Sequence, residues 1–257
     1  MKKISIVIPT LNEEKLLPIL LESIKKQSGF KIELIVSDNN STDNTRKIAK
    51  SYGAKIVDGG LPAKSRNNGA KAASNDIILF LDADVILPAP DFLKRTLFEF
   101  NKNDFGIATC EFYPISERII DKLFHQVANF YLKKTHTLMP HIPGFCIFVK
   151  KNIHEKINGF DETLKLAEDH DYASRASKIS KFGFLKSYPI LVSVRRLERD
   201  GRFNILAKYA LCEAHILLKG PIKSDIFKYT FGYPNGYPKK KIKNNLFLLF
   251  LYFLFRI

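Results

Sequence analysis

The chain predicts an α/β fold: a mostly parallel central sheet flanked by helices, followed by a short basic and apolar C-terminal segment. Three observations point there. Apolar runs such as Ile4-Ser5-Ile6-Val7-Ile8-Pro9 and Ile77-Ile78-Leu79-Phe80-Leu81 alternate with helical patterns through the first half, as βαβ units do. The second run is apolar at every position, the pattern of a strand covered on both faces. It also runs directly into Asp82-Ala83-Asp84, carboxylates whose desolvation against a buried strand needs a cation or a hydrogen-bonded ligand to offset it. A chain of 257 residues fits one large core, expected over residues 1–230, with residues 231–257 as the tail.

Each element has its own signal. Residues 4–9 form the first strand. Asn12 is placed to cap the helix that follows, with Glu13 and Glu14 at its positive end, Pro18 in its first turn, and Leu17, Leu20, Leu21 and Ile24 on one face. Residues 32–37 are the second strand. Ser41 is expected to cap a helix through Tyr52, carrying Asp43 in its first turn and stopped by Gly53, before a short strand at 54–57. Residues 63–74 read as a helix and 77–81 as the most buried strand. Asp91 is expected to cap a helix over 92–101, with Phe92, Leu93, Leu97 and Phe100 as its stripe. Beyond Gly106 come a strand near 107–112, a long helix near 117–133, a strand at 146–150, a helix over 169–181 and a strand at 190–194. The Gly- and Pro-bearing stretch 231–238 breaks regular structure and ends the domain.

Composition narrows the partners. Lys plus Arg number 41 against 26 Asp plus Glu, a formal charge of +15, which favours anionic partners such as nucleotides or anionic lipid. The alternative is a solvated lysine-rich surface. Cys110, Cys146 and Cys212 are widely spaced and odd in number, so they read as buried hydrophobes in a reducing compartment. The short apolar stretch after Met1-Lys2-Lys3 leads into charged Glu13-Glu14-Lys15, and is read as a strand of a cytoplasmic protein. Residues 246–255 are continuously apolar and follow Lys239-Lys240-Lys241-Ile242-Lys243. That run is half of the about 20 residues a spanning helix needs, so the tail is expected to associate peripherally with an anionic membrane.

In open sheets ligands sit beyond the carboxyl ends of strands, and Pro9-Thr10-Leu11-Asn12, Ser37-Asp38-Asn39-Asn40 and Asp82-Ala83-Asp84 are three such ends. Asp38 is suited to accept hydrogen bonds from a base or ribose, and Asp84 to bind a divalent cation that bridges phosphates. For either residue the plainer reading is a turn or cap. These segments, with Ala63-Lys64-Ser65-Arg66-Asn67-Asn68-Gly69, Asn158-Gly159-Phe160-Asp161-Glu162 and Glu168-Asp169-His170-Asp171, stand in an order that resembles family 2 glycosyltransferases of the GT-A fold.

That resemblance implies a UDP- or GDP-linked sugar donor, a Mg²⁺ or Mn²⁺ ion and an inverting mechanism. By position it places Pro9, Leu11, Asp38 and Arg66 around the base, Asp82 at the ribose or diphosphate and Asp84 on the metal; Glu13, in the first motif, joins the donor-binding set. Leu11 and Asn39 depart from the aromatic residue and the second acid common at their positions, leaving the base open. Pro143-Gly144-Phe145-Cys146 resembles the family's acceptor-side glycine loop.

The chemistry asks for the same parts. A sugar diphosphate leaves poorly until a cation and guanidinium groups offset its charge. Asp169 is the candidate base for the acceptor hydroxyl, and Glu168 a neighbour that orients a loop. The pair also suits a plain helix N-terminus. Arg195 and Arg196 are placed to close over the diphosphate, or to form a solvated basic edge. His170 and His215 read as ordinary surface or core histidines, with metal ligation the alternative. The acceptor is expected to be a hydroxyl, possible classes being lipid-linked or polysaccharide. A nucleotidyltransferase would want a glycine-rich loop after the first strand, and none is there; a nucleic-acid-binding module would want basic residues interleaved with aromatics, and here they adjoin an apolar tail, so nucleic acid is not expected as a partner.

Overall fold

A computed structural model of the chain describes residues 2–136, 139–224 and 226. The elements follow the order β1 (Lys2–Thr10), α1 (Leu17–Lys25), β2 (Phe30–Asp38), α2 (Thr45–Ser51), β3 (Lys55–Asp58), α3 (Pro62–Ala72), β4 (Ile77–Leu81), β5 (Val85–Ile86), α4 (Phe92–Lys102), β6 (Ile107–Pro114), α5 (Ile119–Thr135), β7 (Cys146–Lys150), α6 (Lys151–Lys156), α7 (Glu168–Ser177), β8 (Phe182–Val192), α8 (Arg195–Asp200) and α9 (Arg202–Lys219). The sheet has the order β3-β2-β1-β4-β7-β6-β8-β5. Its first four strands are parallel, and so are β6 and β8. β7 runs antiparallel to both β4 and β6, and β5 to β8, so the sheet is mixed.

Period-two alternation divides the core into two layers. Ile4, Ile6, Ile8, Leu79 and Leu81 face α1 and α4, with Leu17, Leu20, Leu21, Phe92 and Phe100 packed on them. Val7, Ile35, Ile78 and Phe80 face the other way, into a cluster with Ala70 of α3 and Tyr172 and Ala173 of α7. At Gly69 of α3 a Cβ would lie 2.1 Å from Val7 Cγ1, so only glycine lets that helix sit so close to β1.

The three expected helix caps serve the loops instead. Asn12 has a left-handed backbone (φ 55°) and stands well before α1; its Oδ1 accepts the Thr42 backbone N–H at 2.9 Å. The Ser41 hydroxyl donates to Asp38 at 2.6 Å, and α2 begins only at Thr45. Asp91 does precede α4, but its carboxylate takes bonds from Arg95 and the Tyr188 hydroxyl rather than from the helix N-terminus. Asn12 is held by distant Thr42, Asp91 by distant Tyr188 as well as Arg95, and Ser41 by Asp38 and the Asn12 N–H, and these bonds take the place of helix capping. β8 starts eight residues before the expected strand, at Phe182, and β5, α6, α8 and α9 are additions to the sequence reading. The Gly- and Pro-bearing stretch at 231–238 and the tail lie outside the described residues.

Candidate active site

The carboxyl ends of β1, β2 and β4 lie side by side, since Thr10 pairs with Asp38 and Val7 with Phe80. Register therefore gathers the three polar strand ends along one edge of the sheet. Arg66 of α3 is the hub of what faces them. It is 3% exposed, and its Nη1 donates to Glu168 Oε1 at 2.7 Å while Nη2 donates to Asp82 Oδ1 at 3.0 Å and to the Gly144 carbonyl at 3.1 Å. The Gly144 N–H in turn donates to Asp169 Oδ2 at 2.8 Å. One guanidinium and one glycine thus join the acidic pair after β4 to the acidic pair that opens α7. A Cβ on Gly144 would lie 2.7 Å from Arg66 Nη2 and 3.0 Å from Asp169 Oδ2, so this junction has room for no side chain. Burial and the charge of Asp169 hold the Glu168 carboxyl above its ordinary range in spite of Arg66.

A second guanidinium closes the other side. Arg195, at the start of α8, donates Nη1 and Nη2 to the two oxygens of Glu13 at 2.7 Å each, and its Nε lies 2.7 Å from Asp84 Oδ2. Burial pushes the Glu13 carboxyl up to about 7 against the pull of Arg195, and the nearby Asp84 and Asp82 charges add to the rise. Arg196 stands near enough to Asp82 for its charge to favour that carboxylate. This corner concentrates three carboxylates and already holds a cation against Asp84. That is the donor chemistry a Mg²⁺ or Mn²⁺ ion takes when it binds through one or two carboxylates and substrate phosphates, so the residues fit such an ion.

Asp38 is buried, and its two oxygens accept from Thr10, from Ser41 twice and from Arg46, at 2.6 to 3.1 Å. Pro9 and Leu11 are half-buried on either side of Thr10 at the end of β1. His215 lies on α9, whereas His170 follows Asp169 directly.

Three positions without an assigned role, Asn67, Phe160 and Arg175, hold the site in shape. Asn67 Nδ2 donates to the Phe160 carbonyl at 2.9 Å and to Glu162 at 2.8 Å, and its Oδ1 accepts the Phe160 N–H at 2.8 Å. Phe160 stacks on Tyr172 of α7 with ring centroids 3.9 Å apart. Arg175 of α7 clamps the carbonyls of Ile157 and Gly159 at 2.6 and 2.8 Å. The Asn158-Gly159-Phe160 turn, left-handed at its first two residues (φ 58° and 68°), is therefore the clasp that fixes α7 to α3. The recurring segment order was a signal for this pairing; its geometry was not readable.

A cavity lined by Lys3, Phe30, Asn75, Asp76 and Ile77 opens at the amino ends of the same strands, remote from these carboxylates.

Residues 5–157 match the family model for glycosyl transferase family 2. The chain belongs to that family. Among its curated relatives, the 4,4'-diaponeurosporenoate glycosyltransferase of Staphylococcus haemolyticus is 32% identical over 126 residues, 44% of this chain and 33% of that protein. The enzyme of the same name from Staphylococcus aureus strain USA300 is 33% identical over 129 residues, 47% of this chain and 34% of its own length. The chain thus spans about a third of the curated relatives it matches. Among solved structures, the mannosyltransferase PcManGT of Pyrobaculum calidifontis, in complex with GDP-Man and Mn²⁺, aligns over 81% of this chain and 61% of its own with a TM-score of 0.65 and 19% identity. S. aureus TarS 1-349 aligns over 84% of this chain and 66% of its own, with a TM-score of 0.60 and 20% identity. At these identities the likeness establishes the GT-A fold.

Proposed function

We propose that this family 2 chain is an inverting glycosyltransferase, dependent on Mg²⁺ or Mn²⁺, that transfers a sugar from a nucleotide-sugar donor to a hydroxyl acceptor at the cytoplasmic face of an anionic membrane. The observation that carries the reading is the junction of Arg66 and Gly144, which sets the candidate base Asp169 and the strand-end carboxylates around one site. Solved structures of this fold include complexes with UDP-GlcNAc and with GDP-Man, which supports the donor class.

The donor lies across the ends of β1, β2 and β4. Pro9 and Leu11 flank the base, over a loop that Asp38 holds in place through its bonds to Thr10, Ser41 and Arg46. Arg66 acts from beneath, keeping Asp82 toward the ribose and diphosphate, and Arg195 and Arg196 face the phosphates. Asp84, backed by Glu13, would hold the divalent ion, which when bound supplies charge neutralisation for the leaving diphosphate. Asp169, fixed by the Gly144 N–H, removes the proton of the acceptor hydroxyl as its oxygen attacks the anomeric carbon from the face opposite the phosphate. The new glycosidic C–O bond forms as the old C–O bond to phosphate breaks, the configuration inverts, and the nucleoside diphosphate carries away the electron pair.

Two helices support the membrane setting. On α5, Ile119 (82% exposed), Leu123, Val127 and Phe130 (65%) recur at helical spacing, and on α9, Phe203 (77%), Leu211 and Leu218 (83%) stand in solvent. Lys122, Lys133, Lys134 and Lys208 lie on the same helices, and the Arg202 fork on Asp121 ties α9 to α5 at 2.6 and 2.9 Å. An apolar face edged with lysine suits the boundary of an anionic bilayer. Among the described residues no helix is long and apolar enough to cross one.

The test is a nucleotide-sugar hydrolysis screen with Mn²⁺ or EDTA, since slow transfer to water needs no known acceptor. Metal-dependent release of one nucleoside diphosphate is expected from the wild type and none from Asp84→Ala. EDTA-sensitive turnover retained in Asp84→Ala would overturn the metal assignment.

A further inference from the structure

The side chains of His141, His170 and Glu213 come from three separate segments and meet beside Asp169, whose Oδ1 lies 3.9 Å from His170 Nε2. His141 lies in the loop before β7, His170 in the first turn of α7 and Glu213 on α9. One ligand atom from each lies within 4.8 Å of the other two. The two imidazoles stack, with centroids 4.2 Å apart and ring planes 13° apart. Both present Nδ1 to the same oxygen: His141 Nδ1 is 3.2 Å from Glu213 Oε1 and His170 Nδ1 is 3.5 Å from it.

Contacts within the cluster leave several of its buried polar atoms without a well-formed hydrogen bond. His141 is 6% exposed, yet its Nδ1 is buried without a bond of acceptable geometry, and so are His170 Nδ1 and Glu213 Oε2. Orphaned buried polar atoms are rare, and two imidazole nitrogens turned on one carboxylate, with its second oxygen also unbonded, ask for a missing partner.

We propose that His141, His170 and Glu213 form a binding site for a Zn²⁺-class transition metal, separate from the Asp84 corner. Two imidazoles and one carboxylate are a recurrent zinc donor set, whereas an all-carboxylate corner suits Mg²⁺ or Mn²⁺. Tetrahedral zinc with ligands at about 2.0–2.2 Å sets its ligand atoms about 3.4 Å apart, close to the spacing around Glu213 Oε1. Three protein ligands leave a fourth position for water. The ion would pin the loop bearing Gly144, α7 and α9 to one another, and so brace Asp169, which is bonded to Gly144 and adjacent to His170 in the chain. That bracing rests on the reading of Asp169 as the base; the binding of zinc does not.

The test uses the tag-free full chain stripped with chelator and titrated with Zn²⁺ alone against a chromophoric competitor, with no donor or acceptor present. The wild type is expected to bind one Zn²⁺ per chain, to melt at a higher temperature when loaded, and to show two imidazole ligands in its zinc X-ray absorption spectrum. Glu213→Gln, nearly isosteric, and His141→Ala should each weaken binding by at least about 100-fold, while Asp84→Ala keeps it. Circular dichroism confirms that each variant is folded. Zinc affinity unchanged in Glu213→Gln, or lost in Asp84→Ala, overturns the proposal. Failure of the zinc-binding wild type to hydrolyse any nucleotide-sugar would count against the catalytic reading and not against this site.

Discussion

At the scale of single residues, the site is a set of carboxylates kept apart in role by what touches them. Glu168 is spent on Arg66, whereas Asp169 keeps its place through the Gly144 N–H and its own helix, from His170. Asp169→Asn is therefore expected to lower kcat by about 10²–10⁴ while nucleotide affinity, measured by calorimetry, is unchanged. Loss of donor binding would move Asp169 into the binding site. Glu13 gives a prediction about pH. Its carboxyl is raised from 4.5 to about 7 in the fold, so between these values the folded chain holds a proton that the unfolded chain has released. Its contribution to stability is full below pH 4.5 and falls as pH rises through 7, by about 3 kcal/mol at most. Urea unfolding of Glu13→Gln should lack this decline, so its stability relative to wild type should improve from pH 4.5 toward pH 7. A constant difference across that range would show that Arg195 keeps Glu13 ionised throughout.

At the scale of elements, α3 and α7 hold the site together, and neither does so mainly through its apolar face. Asn67 and Arg66, adjacent on α3, reach respectively the Phe160 turn and Glu168. Asn67→Ala would strand the Phe160 N–H and carbonyl in a buried setting, and should cost about 2–3 kcal/mol in denaturant unfolding. Activity should fall with it as α7 loosens; wild-type stability in this variant would mean that Phe160 stacking and the Arg175 bonds supply the clasp without Asn67. The helix spans near α3 and α7 were readable from alanine- and charge-rich periodicity, and the acidic start of α7 from Glu168 and Asp169. The caps were not, because a serine or asparagine after a strand suits a turn as well as a helix, and long-range partners chose between them. β5, with two residues, and α6 and α8, with six each, are too short to carry a periodic pattern.

At the scale of the molecule, the basic charge and the apolar stripes point the same way. Phe130→Glu combined with Val127→Glu on α5 should reduce co-sedimentation with anionic liposomes at physiological salt without changing donor hydrolysis in solution. Deleting the residues after Tyr237 should release the chain further, because the tail joins five basic and apolar positions at 239–243 to an apolar run. Unchanged co-sedimentation in both variants would show that this chain is not itself the membrane-binding part.

The amino-acid sequence by itself determined the α/β class, the succession of strands and helices along the first half and the identity of the acidic residues, because burial on two faces and carboxylates at strand ends are local patterns that the chain must display in order. Tertiary structure alone decided which of those carboxylates are spent internally, as Glu168 is on Arg66 and Asp38 on its own loop. It also decided that β7 enters antiparallel between β4 and β6, carrying Gly144 into the junction of Arg66 and Asp169. Hydrogen bonds between residues 78 and 102 positions apart are set by how layers pack, and no spacing in the chain encodes them. The convergence of His141, His170 and Glu213 has the same origin: three segments that share no motif are brought to one point because α7 and α9 pack beside the loop that leads into β7.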